Sequence, residues 1–164
     1  MQATFIIEGP DNSGKSTLAT ALAERLNMAS IHQVRPASAK DFFYYWLAEH
    51  KFVNTIFDRS MALSQQIYDK ITGRDQVIHA DELDLFIKST VDNIPMIICL
   101  PPPEIVLNAS ADREEMAGVA DNRAELYELY SEFAQAQIGN KNVVVFDYTI
   151  HTVEEAVEWL RQFN

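Results

Sequence analysis

Gly9-Pro10-Asp11-Asn12-Ser13-Gly14-Lys15-Ser16 fills every position of the pattern G-x-x-x-x-G-K-[ST], with Thr17 directly after it. Thr4-Phe5-Ile6-Ile7-Glu8 reads as a strand leading in, and Thr17-Leu18-Ala19-Thr20-Ala21-Leu22-Ala23 as a helix leading out. The pattern is chemical. Glycine tolerates the backbone conformations needed to wrap an anion, and the following helix offers its N-terminal amides and positive dipole end to that anion. Gly9, Asp11, Asn12, Ser13, Gly14 and Thr17 are therefore expected to line a polyphosphate site. Lys15 is placed to reach the β- and γ-phosphates, and the Ser16 hydroxyl to ligate Mg²⁺. This is the strand–loop–helix of a nucleotide-binding domain.

Working outward, 164 residues suit one domain with a core large enough to need no staples. The one cysteine, Cys99, lies in the apolar run Met96-Ile97-Ile98-Cys99-Leu100, so it reads as a small buried hydrophobe with no disulfide partner. A reducing cytoplasm fits this usage. No apolar stretch is long enough to span a bilayer, and no signal-peptide pattern precedes the first strand, so no membrane partner is expected. A formal charge of −11 opposes attraction to a long polyanion and argues against extended nucleic acid. A single nucleotide, neutralised by a few cations, stays within reach. The histidines are scattered and lack companion cysteines, which argues against zinc.

Strands and helices alternate along the chain. Strands are expected at about 3–8, 28–33, 53–57, 95–100 and 142–147, and helices at 15–26, 37–51, 61–72, 80–92, 103–109, 121–138 and 152–163. Such alternation implies a three-layer α/β/α sandwich on a five-stranded parallel sheet, because each parallel crossover needs a covering helix. Phe5-Ile6-Ile7, Met96 to Leu100 and Val143-Val144-Val145-Phe146 are apolar at successive positions and read as strands buried on both faces. Thr152 and Glu155 form a capping-box pair, Asp121 is placed to cap the helix from Arg123, and Gly139-Asn140 to stop it. The loop 73–80 and the polar stretch 110–120 read as the irregular segments.

After the third strand, Asp58-Arg59-Ser60 puts a carboxylate and a guanidinium at the carboxyl end of a strand, the edge on which open α/β sheets bind ligands. Asp58 can hold Mg²⁺, and Arg59 can grip a phosphate with its planar fork.

At this point the chain resembles the thymidylate kinases, a family of P-loop nucleoside monophosphate kinases. The resemblance rests on Glu8 to Thr17, on Phe57-Asp58-Arg59-Ser60, and on Val145-Phe146-Asp147-Tyr148-Thr149 ahead of the last helix. It implies the P-loop kinase fold and ATP-dependent phosphorylation of a deoxynucleoside monophosphate such as dTMP, with Mg²⁺. Carried over, it has Lys15, Ser16 and the loop amides hold the ATP phosphates, Asp58 help place the metal, and Arg59 bind the acceptor phosphate. Asp11 would approach the acceptor sugar or organise Arg59, and Thr149 would border the adenine. Such kinases close an arginine-bearing lid over the transferred group, which implicates Arg113 within 110–120, with Arg123 as the second candidate. Homodimers are common in the family. The chain departs from its pattern in its short length, in Ser60 where an aromatic residue is usual, and in Ile31-His32-Gln33-Val34-Arg35-Pro36 in place of an Arg-Glu-Pro arrangement. This reduced layout resembles compact phage-encoded deoxynucleoside monophosphate kinases.

For the acceptor, Arg35 is a second candidate for the phosphate, and the run Phe42-Phe43-Tyr44-Tyr45-Trp46 supplies rings, Phe42 and Trp46 among them, for stacking on a base or for the core. Gln65 or Gln66 could read a base edge or face solvent. His32 reads as an exposed or core-edge residue. Residues 32–36 contain no carboxylate to act as general base, which favours an anionic monophosphate over a nucleoside hydroxyl. A deoxynucleoside kinase and a catalytically idle nucleotide-binding regulator are the alternatives.

Overall fold

The structure, a computed structural model, describes residues 3–108 and 118–163. The polar stretch that holds Arg113 lies outside the described residues. The strands are β1 (Thr4–Glu8), β2 (Ala29–His32), β3 (Thr55–Asp58), β4 (Met96–Cys99) and β5 (Val143–Phe146). They form one parallel sheet in the order β2-β3-β1-β4-β5. The helices are α1 (Lys15–Leu26), α2 (Ala39–Lys51), α3 (Met61–Thr72), α4 (Ala80–Asn93), α5 (Pro103–Leu107), α6 (Arg123–Ala136) and α7 (Val153–Leu160).

The two-residue period of a strand builds the layers. In β1, Phe5 and Ile7 face one way and pack with Leu18, Leu22, Val157 and Leu160 of α1 and α7. Ile6 faces the other way, into a larger core built from α2, α3, α4 and α6 around Phe42, Leu63, Leu83 and Tyr130. The α/β/α sandwich expected from the alternation is what the chain forms. No helix among the described residues is long and apolar enough to cross a membrane.

Several ends differ from the sequence reading. Val143 to Phe146 is an edge strand with Val145 exposed, not a central one, because β5 has only β4 beside it. Asp121 does not cap α6. It falls in a short 3₁₀ turn, Ala120–Asn122, that feeds the helix directly, and Asn122 at the cap position makes no capping bond. α2 starts at Ala39 because Ser38 accepts from the Asp41 amide. The Thr152–Glu155 capping box is present as expected.

Glu8, fully buried at the end of β1, ties the layers to the loop that follows. Its Oε1 accepts from the Ser60 amide at 2.6 Å and the Ser64 hydroxyl at 2.8 Å. Its Oε2 accepts from the Tyr130 hydroxyl at 2.8 Å and the Gly9 amide at 3.1 Å. A carboxylate without water survives only when its lone pairs are met this way. Tyr130→Phe removes one donor and should cost about 1–3 kcal/mol, read as a lower urea midpoint with an unchanged m-value.

Candidate active site

The phosphate loop owes its shape to backbone conformations open chiefly to glycine. Gly9 has φ 146°, and a Cβ there would stand 2.4 Å from the Cys99 carbonyl oxygen of β4. Gly14, with φ 82°, opens α1, and Asn12 takes φ 65° between them. A Cβ on Gly14 would meet the Tyr148 ring at 3.1 Å, so the turn after β5 lies against the loop. Within that turn Thr149 donates its amide and hydroxyl to Asp147 Oδ1 at 2.8 and 2.7 Å. Ser13 is buried, and its hydroxyl has no partner among the described residues. Lys15 folds over the loop, with Nζ donating to the Pro10 carbonyl at 3.2 Å and to Asp11 Oδ1 at 3.4 Å. Burial, then the charge of Arg59, push the Lys15 pKa down, against the pull of Asp11, Asp58 and Glu8. Such an ammonium gains from any anion seated in the loop.

Asp11 joins the loop to the second motif. The Arg59 guanidinium donates to its Oδ1 at 2.6 Å, the Tyr68 hydroxyl at 3.0 Å, and the Arg59 guanidinium stacks 4.7 Å over the Tyr68 ring. Burial opposes ionisation of Asp11, yet the charges of Lys15 and Arg59 outweigh it and hold the carboxyl below its ordinary value. Burial keeps Tyr68 a protonated donor by raising its pKa. Arg59 has φ 89°, a left-handed conformation that costs a side-chain-bearing residue roughly 1–3 kcal/mol. Its amide donates to the Ile7 carbonyl at 2.9 Å, which holds the turn.

Asp58, in register with both Ile7 and His32, ends β3 beside the loop. Its Oδ2 accepts from the Ser16 hydroxyl at 2.7 Å and meets His32 Nδ1 at 2.9 Å, while Oδ1 is buried with no partner among the described residues. One carboxylate, one hydroxyl and an unmet oxygen lone pair suit Mg²⁺, which is commonly held by few protein oxygens together with phosphate. No group of three or more His, Cys, Asp or Glu able to hold a metal occurs among the described residues. The His32 contact was not foreseen: its side chain is 57% exposed, yet it orients on Asp58.

A cavity of about 250 Å³ opens next to this centre, lined by the end of β2 and by α3. Gln65 belongs to it, is 4% exposed, and has no partner among the described residues at either end of its amide. Gln66 instead donates to Asp84 Oδ1 at 2.6 Å on the surface. Arg35 lines the cavity, but its guanidinium is held by Asp69 at 3.1 Å and by the Asp75 carbonyl at 2.9 Å, not alongside Arg59. Phe42 and Trp46 are absent from the cavity. Phe42 is fully buried against Phe86, and Trp46 packs on Phe86 while donating to Thr90 Oγ1 at 3.2 Å. Their shared helical face meets α4, whose packing claims both rings. Arg123, the second lid candidate, starts α6 and donates to the Leu107 carbonyl at 3.5 Å.

Sequence reading passed over Glu49, Tyr68 and Tyr130. Glu49 is buried, accepts from Gln33 Nε2 at 2.8 Å and from the Met61 amide at 2.5 Å, and so fastens β2 and α3 to α2. Its position on the aromatic face of α2, with Phe42 and Trp46, carried no motif signal.

The sheet order, the glycine loop between β1 and α1, and the Asp-Arg pair at the end of β3 define the fold of the P-loop kinases. No family model and no curated protein matches the sequence. Solved structures share the fold. The YorR protein from Bacillus subtilis, in complex with phosphorylated GDP, superposes with a TM-score of 0.75 at 18% identity, over 98% of this chain and 95% of that one. Thymidylate kinase from Candida albicans matches with a TM-score of 0.59 at 16% identity, over 99% and 91%. Deoxyadenosine kinase from M. mycoides with bound dCTP gives 0.58 at 15%, over 98% and 97%. The resemblance to thymidylate kinase-like proteins thus extends to the fold of nearly the whole chain.

Burial pushes the Glu49 carboxyl up to about 8, from an ordinary 4.5. Between those values the folded chain binds a proton that the unfolded chain releases, so this group's contribution to stability falls as pH rises through that window. Glu49→Gln should flatten the fall between pH 5 and 8, measured as the difference in urea unfolding free energy from the parent protein.

Proposed function

We propose that the chain is an ATP-dependent kinase that transfers the γ-phosphoryl group to a deoxynucleoside monophosphate such as dTMP. The observation that carries this reading is the position of Asp11. It binds Lys15 of the phosphate loop and Arg59 at the mouth of the cavity through the same Oδ1 atom. On this reading the donor and acceptor cations share one anchor, which would hold the two phosphates side by side. The thymidylate and deoxyadenosine kinases that share the fold support a nucleotide or nucleoside acceptor.

In the reaction, an oxygen of the acceptor 5′-phosphate attacks the γ-phosphorus as the bond to the β–γ bridging oxygen breaks and ADP leaves. The attacking oxygen carries no proton, so no general base is needed. Lys15 and the loop amides meet charge on the transferring group, and Arg59 holds the acceptor phosphate. Bound Mg²⁺ would supply further charge neutralisation, held by Ser16 and Asp58. Thr149 and Tyr148 border the donor base. Arg113 is proposed to bring a cation from the 110–120 segment.

A deoxynucleoside acceptor is the second reading, favoured by His32. Its ring lines the cavity and is oriented by Asp58, as a proton acceptor for a hydroxyl would be. Incubation with Mg-ATP and each deoxynucleoside and its monophosphate in turn separates the two. Diphosphate formation is expected, and loss of it on chelation of the metal; turnover of nucleosides alone would move the assignment to the second reading. Nucleotide-dependent thermal stabilisation with no product from any acceptor would instead mark an idle binding protein.

Lys15→Ala should lower kcat at least about a hundredfold with the fold intact by circular dichroism. Arg59→Ala should raise the acceptor KM about tenfold or more while leaving the KM for ATP within a few-fold.

A further inference from the structure

The cavity has two chemically different ends. Helix α3 runs along it, and the nine residue steps from Ser60 to Asp69 rise about 13.5 Å, comparable to the length of a nucleoside monophosphate. Arg59, with Asp11 and Lys15, marks the phosphate end. The far end holds the Arg35 guanidinium on Asp69, and Arg74, which lines the cavity just after Gly73 (φ 61°) terminates α3. The Arg74 side chain makes no hydrogen bond or ion pair among the described residues. Gln65 and Asp69, one turn apart on α3, both line the cavity. Asp69 Oδ2 and the Gln65 amide are buried, and neither has a hydrogen-bond partner among the described residues.

Resting on the nucleotide-kinase reading, we propose that Arg74, Asp69, Arg35 and Gln65 read the acceptor base and select a lactam edge, a ring N–H beside a carbonyl. Thymine, uracil and guanine carry that edge, and adenine and cytosine do not. A guanidinium has only N–H donors. Turned toward the amino group of adenine or cytosine, it sets donor against donor and leaves both unpaired in a desolvated site. Turned toward O4 of a pyrimidine or O6 of guanine it is satisfied, and guanine N7 beside O6 admits a bidentate contact. The neighbouring ring N–H needs an acceptor, and Asp69 Oδ2 and Gln65 Oε1 supply one each. Arg35 is a base-end residue in this arrangement, not a phosphate ligand.

The test measures kcat/KM for dTMP, dUMP, dGMP, dAMP and dCMP with the parent chain, Arg74→Met and Asp69→Asn, each checked for an unchanged thermal midpoint. The lactam nucleotides should exceed the amino nucleotides roughly tenfold or more. Arg74→Met should erase most of that ratio by raising KM for the lactam set alone, and Asp69→Asn should narrow it as well. Equal or better use of dAMP or dCMP overturns the proposal, as does an equal loss on all acceptors in Arg74→Met. If no monophosphate is phosphorylated, the kinase reading fails separately. Calorimetric binding of the same nucleotides then decides the base preference, with selective lactam binding upholding it and unselective or absent binding overturning it.

Discussion

A buried carboxylate holds this structure to its function. Glu8 ends the central strand and accepts from the first residue of the phosphate loop, from the start of α3, and from Tyr130 of α6. The loop and α3 therefore meet at one side chain, and a shift of either leaves a buried oxygen without its donor. In a low-dielectric interior that cost is high, so the loop and the first turn of α3 move together or not at all. The sheet supplies the frame: β1 lies between β3 and β4, which brings the carboxyl ends carrying Gly9 and Asp58 next to one another.

On that frame the charges are arranged in a chain of shared partners. Asp11 serves Lys15, Arg59 and Tyr68, while Asp58 serves Ser16 and His32. Arg59 tolerates a left-handed backbone because its amide, its guanidinium and its stacking on Tyr68 are all engaged. Strain that persists under so many restraints marks a side chain whose direction is fixed in advance. Ser13 and Asp58 each leave one buried polar atom unmet, and further such atoms belong to Gln33, Ser60, Gln65 and Asp69, which line the cavity. Groups left unpaired in a buried wall are those a polar ligand would satisfy.

The aromatic run on α2 shows where sequence reading stops. Helical spacing correctly groups Phe42 with Trp46, but spacing names a face and not its neighbour, and the neighbour proved to be Phe86 of α4. The apolar Val143 to Phe146 likewise signals a strand without saying that it lies at the edge. Arg35 carries a cation near the cavity as its position suggested, yet Asp69 draws it to the end opposite Arg59. Glu49 and Tyr130 had no motif to announce them, since a lone polar residue on an apolar helix face looks the same whether it is satisfied by its own turn or by a distant strand.

By itself, the sequence determined the phosphate loop, the order of strands and helices, and the layered α/β form. These follow from local chemistry: glycine at left-handed positions, Lys and Ser at fixed spacing, and periods of two and 3.6 residues. Only the tertiary structure decided that Asp11 anchors Arg59 across 48 residues, that Glu8 receives Tyr130 across 122, and which wall of the cavity each arginine serves. Such pairings depend on how helices pack over a sheet, and packing brings together residues whose separation along the chain carries no trace of the contact.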